Sequence, residues 1–503
     1  MSLRKLRISA FVMAAALLMV SGASNVWAHA KLVSSNPAAG QIVDEPPSEV
    51  ELAFSAAVQT SMRTIAVKNE QGERVDLQTV SDRDEGRVLT AGLSAGLPDG
   101  MYRIEWRVLS LDDHVISGDL AFEVRRGGGP PETEAAAQTA EQDHSGMDHS
   151  MHEEQGEINW AQSLVRWVMY LAMISLAGAF AFRIFVAGPA GRDIAEISPG
   201  ESAIAALEGQ RARMLATAFV SVLVLIAAGV AALMLQAAAV YAEGNLVSLN
   251  PAQLKQVITE TSFGPPWAMQ MTCAAAVLVV VLLMRGRRPG RVFLWIGLVM
   301  SALILLAPSL TGHARAASID YPPAILFDWL HLAAAAVWAG GLVQLAVTVP
   351  AMLRPIRGRE RAVGLSAVLA GFHKLAIGAT VTIILTGLYN SWIHVESFRA
   401  LIESDYGVTL LAKAGVSALM IAIGGVNAFI IHPKIKRLAA EGEELPEGMM
   451  HLQRNVRVEL ALGAIVLMLA ALLAFMPPAR EHTLPGGERV SARLISYERE
   501  IQA

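Results

Sequence analysis

Cysteine is all but missing: the 503-residue chain carries one, Cys273, set inside an apolar run. A lone thiol excludes a disulfide framework and any metal site built from several thiolates. A metal held here must be bound by His, Met, carboxylate or backbone groups. A charge excess of either sign is missing as well, since 40 Lys and Arg stand against 45 Asp and Glu. With no basic surplus, nucleic acid is not an expected partner. No "GxxxxGK[ST]" phosphate loop occurs, so no ATPase machinery is visible, and the chain reads as a protein other than an enzyme. Charged residues make up only 17% of the chain while hydrophobic ones reach 53%, with mean hydropathy +0.44. That balance excludes an ordinary soluble protein and makes the lipid bilayer a partner.

What is present falls into five segments. A basic start (Arg4, Lys5, Arg7), an apolar run from Ile8 to Val20, and Val26 and Ala28 at the small-residue positions predict a signal peptide over 1–28. Cleavage after Ala28, in "VWAHAKL", makes His29 the first residue of the mature chain. Its α-amine and imidazole are two nitrogen donors on one residue. Residues 29–126 alternate in "EVELAF", "MYRIEWRV" and "LAFEV", with turn signals at "NPAAG", "NEQGE" and "LPDG" between. Short strands at that spacing predict an all-β, Ig-like sandwich. Residues 127–157 are rich in Gly, Pro, Glu and Ala without apolar period, and read as a flexible linker.

From 158 to 480 the chain predicts an all-α polytopic membrane domain of eight transmembrane helices. The apolar runs centre on 160–187, 214–240, 266–284, 292–310, 324–349, 366–393, 408–431 and 456–476, each long enough for about 30 Å of hydrocarbon. The stretches 188–213, 285–291, 350–365 and 433–455 hold 3, 4, 4 and 4 basic residues, whereas 241–265, 311–323 and 394–407 hold one each. The positive-inside rule therefore puts the sandwich and the tail at 481–503 outside the cytoplasmic membrane. One miscounted span would invert every later loop.

The first metal-ligand candidates follow from spacing. In "SLDDHVISGDLAFEV", Asp112 and His114 are two apart at a strand end, so a carboxylate and an imidazole share one face. With "HAKLVSSNPAAG" after the signal peptide and "YRIEWRVLSLDDHVISGDLAFEV" later, residues 29–126 resemble the CopC family of periplasmic copper-binding proteins. The resemblance implies a Cu(II) site formed by His29, Asp112 and His114, and nitrogen-rich tetragonal coordination suits that ion. Asp113 stands where many relatives have glycine. Only Met62 and Met101 occur in this domain, so no Cu(I) site is expected there. In the linker, "DHSGMDHSMH" gathers His144, Met147, His149, Met151 and His152, a donor mix for an exchangeable copper relay. The alternative for this run is a solvated spacer.

Ionisable residues within spans are functional hypotheses by default. Asp328 and His331 share one face of the fifth span, His331 roughly 10 Å from Ala324 by helical rise. His313 in "TGHARAAS" and Met269 and Met271 in "PPWAMQM" fall at the same external level, which predicts a vestibule of His313, Asp328, His331, Met269 and Met271. The alternative for Asp328 and His331 is a mutual pair that fixes helix packing. His373, His394 and His432 near span ends read as interfacial anchors, Lys413 as a snorkelling residue, and Met169 and Met173 as packing residues.

The order of "TGHA", "DWLHLAAAAVWAGGL", "LTGLYNSW", "YGVTLLAKAG" and "GGVNAFI" resembles the CopD family of inner-membrane copper resistance proteins. A CopC–CopD fusion implies copper, as Cu(I) or Cu(II) in the membrane domain, gathered outside and carried inward, with other extracytoplasmic copper carriers as partners. Two other functions compete: a sequestration or sensing module without transport, and a b-haem redox protein, which needs paired histidines at matching depth.

Overall fold

The computed structural model describes residues 30–110, 115–126, 152–153, 160–197, 200–241, 246–286, 290–312, 315, 323–395, 397–441 and 449–479. The N-terminal part is the expected two-sheet sandwich. Strands β1 (Leu32–Asn36), β3 (Glu49–Phe54), β6 (Val88–Leu93) and β5 (Asp76–Arg83) form one sheet in that order. Strands β2 (Ile42–Val43), β8 (Val115–Val124), β7 (Gly100–Ser110) and β4 (Val58–Asn69) form the other, and β9 (His152–Glu153) pairs with β8. Alternation in the sequence becomes alternation in burial: Val50, Leu52 and Phe54 of β3 and Tyr102, Ile104, Trp106 and Val108 of β7 all point inward. Phe54 meets Trp106 edge-on at 5.3 Å between centroids, and Tyr102 stacks on Phe122 at 5.4 Å. Gly118 of β8 is required by the indole, because a Cβ there would lie 2.7 Å from Trp106 Cζ2.

A buried acid closes one edge of the sandwich. Burial alone would raise the Asp76 carboxyl, but the Arg74 guanidinium and the Val67 and Gln78 N–H groups outweigh it and hold the acid below the ordinary carboxylate range. A folded-state value below the unfolded one gives stability that is present above about pH 4 and is lost as pH falls through the folded value. Asp76→Asn should therefore cost about 1–2 kcal/mol at neutral pH, modest because Arg74 is half exposed, and progressively less toward pH 3. Hydrogen exchange of β4 and β5 in the full chain, compared across pH, measures this.

Among the described residues eight helices are long and apolar enough to cross a membrane: α1 (Trp160–Ile197), α2 (Glu201–Tyr241), α3 (Gly264–Arg285), α4 (Val292–Leu310), α5 (Ala324–Leu353), α6 (Gly358–Val395), α7 (Asp405–Glu441) and α8 (Leu452–Leu473). They match the eight runs read from the sequence, in order. The 41 residues of α2 run for about 60 Å, twice the hydrocarbon thickness, so this helix continues well past the bilayer. α1 and α5 form the centre. They cross at Gly178 and Gly340, where a Cβ on Gly178 would lie 2.4 Å from the Gly340 Cα. Without a hydrophobic drive between helices in lipid, such close backbone approach is what holds them. Gly340→Val should destroy the packed bundle, read as loss of monodisperse protein in detergent, while a Gly378→Ala control, with open space around it, should not. Two π-helical turns interrupt the spans, Arg183–Ala187 in α1 and Asn427–Ile431 in α7. The second immediately precedes His432.

Candidate metal centre

His29 and the segment Leu111–His114 lie outside the described residues, but their neighbours do not. Ala30 is fully buried in the sandwich core, and Lys31 exchanges hydrogen bonds with Ser55, from N to Ser55 Oγ and from Ser55 N to its own carbonyl, both 2.8 Å. At the other side Val58 pairs with Ser110, and Gln59 Nε2 donates to the Ser110 carbonyl at 2.7 Å. Ser55 and Val58 are three residues apart, at most about 11 Å of extended chain. The chain positions that lead into His29 and into Asp112 are thus fixed at one end of the sandwich.

That end is seated on the helices. Gln59 Nε2 also donates to Ser262 Oγ at 2.7 Å, and the Ser262 N–H returns a bond to Gln59 Oε1 at 2.9 Å. Leu109 and Val115, which flank the Asp112–His114 segment and pair with each other, pack against Leu233, Ala237 and Tyr241 of α2 and against the short helix Pro251–Glu260. The ends of β7 and β8 therefore stand at the end of the bundle where α2 finishes and α3 begins.

Directly in that end lie the intramembrane candidates. The carboxylate of Asp328 accepts from Ser309 Oγ at 2.6 Å and from Asn390 Nδ2 at 3.4 Å. His331 Nδ1 is 2.9 Å from Thr386 Oγ1, and the Thr386 hydroxyl donates to the Thr382 carbonyl at 2.6 Å. The His331 ring is also within hydrogen-bonding reach of the Ile383 carbonyl; with the proton on Nδ1, Nε2 keeps its lone pair, the arrangement in which an outer hydrogen bond aims an imidazole at a metal. Lys413 of α7 is within electrostatic reach of both His331 and Asp328, so it faces the same polar interior rather than acting only as a snorkelling residue. His313 lies outside the described residues.

A cavity of about 70 Å³ at the sandwich-facing end is walled by Met169, Met173, Trp267, Gln270 and Thr311. Gln270 Nε2 donates to Met173 Sδ at 3.2 Å. Met269 packs into the helical core, and the Met271 methyl covers Gly229, where a Cβ would be 2.4 Å away. Met169 and Met173 pack in the same helical core as Met269 and in addition wall the cavity. The 3₁₀ turn at the end of α4 separates this cavity from Asp328: Pro308 and Thr311 face the cavity, and Ser309 faces the acid.

Three features at mid-depth and at the far end escaped the sequence reading. Glu459 of α8 is buried and accepts from Asn427 Nδ2, whose Oδ1 in turn accepts from Asn455 Nδ2 at 2.9 Å. A cavity of about 210 Å³ joins Glu459 to Trp338, Asn427 and His373. His373 and His432, taken separately as anchors, face each other Nδ1 to Nδ1 at 3.2 Å. Their ring centroids are 4.9 Å apart, too close to admit a porphyrin between them. Signals existed for the acid, a carboxylate inside an apolar run, but none for a pair whose members are 59 positions apart. Among the described residues no three His, Cys, Asp or Glu side chains converge. His144, Met147, His149 and Met151 lie outside the described residues, and of His152 only the backbone, paired with Asp119, is described.

Comparison with known proteins divides the chain in the same way. Residues 32–125 match the CopC domain, residues 157–319 the copper resistance protein D-like N-terminal domain, and residues 366–473 copper resistance protein D. The chain is 25% identical to the copper transport protein CutJ of Bacillus subtilis (strain 168) over 461 residues, 90% of this chain and 75% of that one. It is 26% identical to copper resistance protein D of Pseudomonas syringae pv. tomato over 63% of this chain and 96% of that protein. Copper resistance protein C of the same organism is 30% identical, over 24% of this chain and 97% of the relative.

Proposed function

Because the chain belongs to the CopC–CopD copper resistance family, we propose that it captures Cu(II) outside the cytoplasmic membrane and carries copper inward. Handling of copper and a multi-pass membrane setting follow from the family; the direction, the ligands and the order of events are the proposal. After removal of residues 1–28, the His29 amine and imidazole join Asp112 and His114 around Cu(II). The ion then passes to the bundle, where His313, Asp328 and His331 receive it, with Met269 and Met271, and Met169 and Met173 at the cavity, as thioether donors nearby and His144, Met147, His149, Met151 and His152 as a collecting tether.

The observation that carries this reading is the docking of the sandwich. Gln59 ties the strand end that precedes Asp112 to the loop before α3, at the end of the bundle that holds Asp328 and His331. Capture and entry are then neighbours. The expected orientation, with basic loops inside, puts this end outside. A cation moving inward gains about 2.3 kcal/mol per charge for each 100 mV of inside-negative potential, which drives entry without ATP.

Cells with the protein should accumulate copper above cells lacking it. His313→Ala combined with His331→Ala should return accumulation to the background level while Cu(II) binding to the purified chain persists. Equal copper content in all three strains removes transport and leaves sequestration or sensing.

A further inference from the structure

We infer that His373 and His432 form a second, inner metal site, a two-imidazole seat for monovalent copper at the end of the path opposite the sandwich. This rests on the copper-carrying reading above and extends it to the exit. The two nitrogens that face each other are both Nδ1, 3.2 Å apart. Two imidazole lone pairs brought that close must share something, either one proton or one Lewis acid. Metal–imidazole bonds of about 2.0 Å on either side of an ion need the nitrogens about 4 Å apart. The pair is within 1 Å of that opening.

His432 is held from two directions: its ring is within hydrogen-bonding reach of the Ser366 carbonyl of α6, and its Nδ1 faces the second imidazole. The ring is brought there by the π turn Asn427–Ile431, whose Asn427 carbonyl accepts the His432 N–H. Such turns weaken a helix and occur mostly where a side chain must be re-aimed for function. His373 borders the cavity of about 210 Å³, so its ring has space to make the opening.

Placement also fits. Thr386, which holds His331, and His373 are thirteen residues apart on α6, about 20 Å along its axis. The cavity with Trp338, Asn427 and Glu459 lies between the two levels. α6 thus carries His373 at one level and, at the other, the Thr386 hydroxyl that bonds His331 of α5. The donor set, neutral nitrogens without a carboxylate, favours a singly charged ion that accepts two-fold coordination over a divalent one that requires four to six ligands. Lys436 is within electrostatic reach of His432, so a bound cation is repelled as well as held, as release demands.

The test is Cu(I) stoichiometry of the purified full chain in competition with a colorimetric Cu(I) chelator. The His373→Gln/His432→Gln variant should bind one equivalent fewer than the native chain, and His373→Met/His432→Met, which restores soft donors, should regain it. Unchanged stoichiometry in the Gln variant overturns the site. Should either variant misfold, the native chain still decides: Ag(I) must protect both histidines from carbethoxylation in mass spectrometry, and absence of protection is equally fatal. Failure of the broader reading is separate, since cells that show no copper accumulation dismiss transport while a lost equivalent in vitro keeps the site.

Discussion

Loss of the free amino-terminal histidine should weaken Cu(II) binding by the purified full chain more than about 100-fold. Even removal of a group that merely orients a ligand lowers metal affinity by about 10–100-fold, and His29 supplies two direct donors in one chelate. Two changes separate them. His29→Ala keeps the amine and removes the imidazole. Ala28→Leu, which blocks the small-residue cleavage site, keeps the imidazole and removes the free amine by leaving residues 1–28 attached. Each should shift the Cu(II) absorption band and lower the affinity, and both defects should resemble that of His114→Ala. The sandwich itself should stay folded, because Ala30 and Lys31 are held by the core and by Ser55. N-terminal sequencing beside the titration checks the processing. Native affinity in His29→Ala would falsify the capture step and leave Asp112 and His114 without their partner.

How much of this was readable without coordinates depends on the range over which each signal acts. Strand alternation and apolar runs are local, so "EVELAF" became β3 with Val50, Leu52 and Phe54 inward, and all eight spans appear in order. Helical faces were harder. A methionine pair on one helix looks the same whether it meets a cavity or a glycine. Only the packing of α2 against α3 turns Met271 toward Gly229, and only the gap beside Trp267 makes Met169 and Met173 cavity walls. Asp328 and His331 stand out by depth, but the hydroxyl that bonds His331 Nδ1 is 55 positions away. The His373–His432 pair was the least legible. It needs α6 against α7 and an extra residue wound into a π turn, and a π turn leaves no mark in hydropathy.

Asp328→Asn should lower copper accumulation by at least tenfold while leaving the bundle intact, and Asp328→Leu should damage both. The difference follows from what the carboxylate touches. Ser309 Oγ and Asn390 Nδ2 both donate to it. An asparagine keeps one oxygen to accept the Ser309 proton, so most of the hydrogen bonding among α4, α5 and α6 survives, whereas leucine strands two polar partners at about 1–3 kcal/mol each. Charge is what the amide lacks. A unit charge 4 Å from a cation contributes about 4 kcal/mol at the effective dielectric of a partly hydrated site, about a thousandfold in occupancy before competition is counted. Competition is real here, because the Lys413 ammonium acts on the same carboxylate, and an arriving ion must displace that interaction. The net effect should therefore fall between tenfold and a thousandfold, with a normal thermal melt for Asp328→Asn in detergent. Equal losses of accumulation and of thermal stability in the two variants would mean that Asp328 serves helix packing, and that His331 Nε2 receives copper without a neighbouring charge.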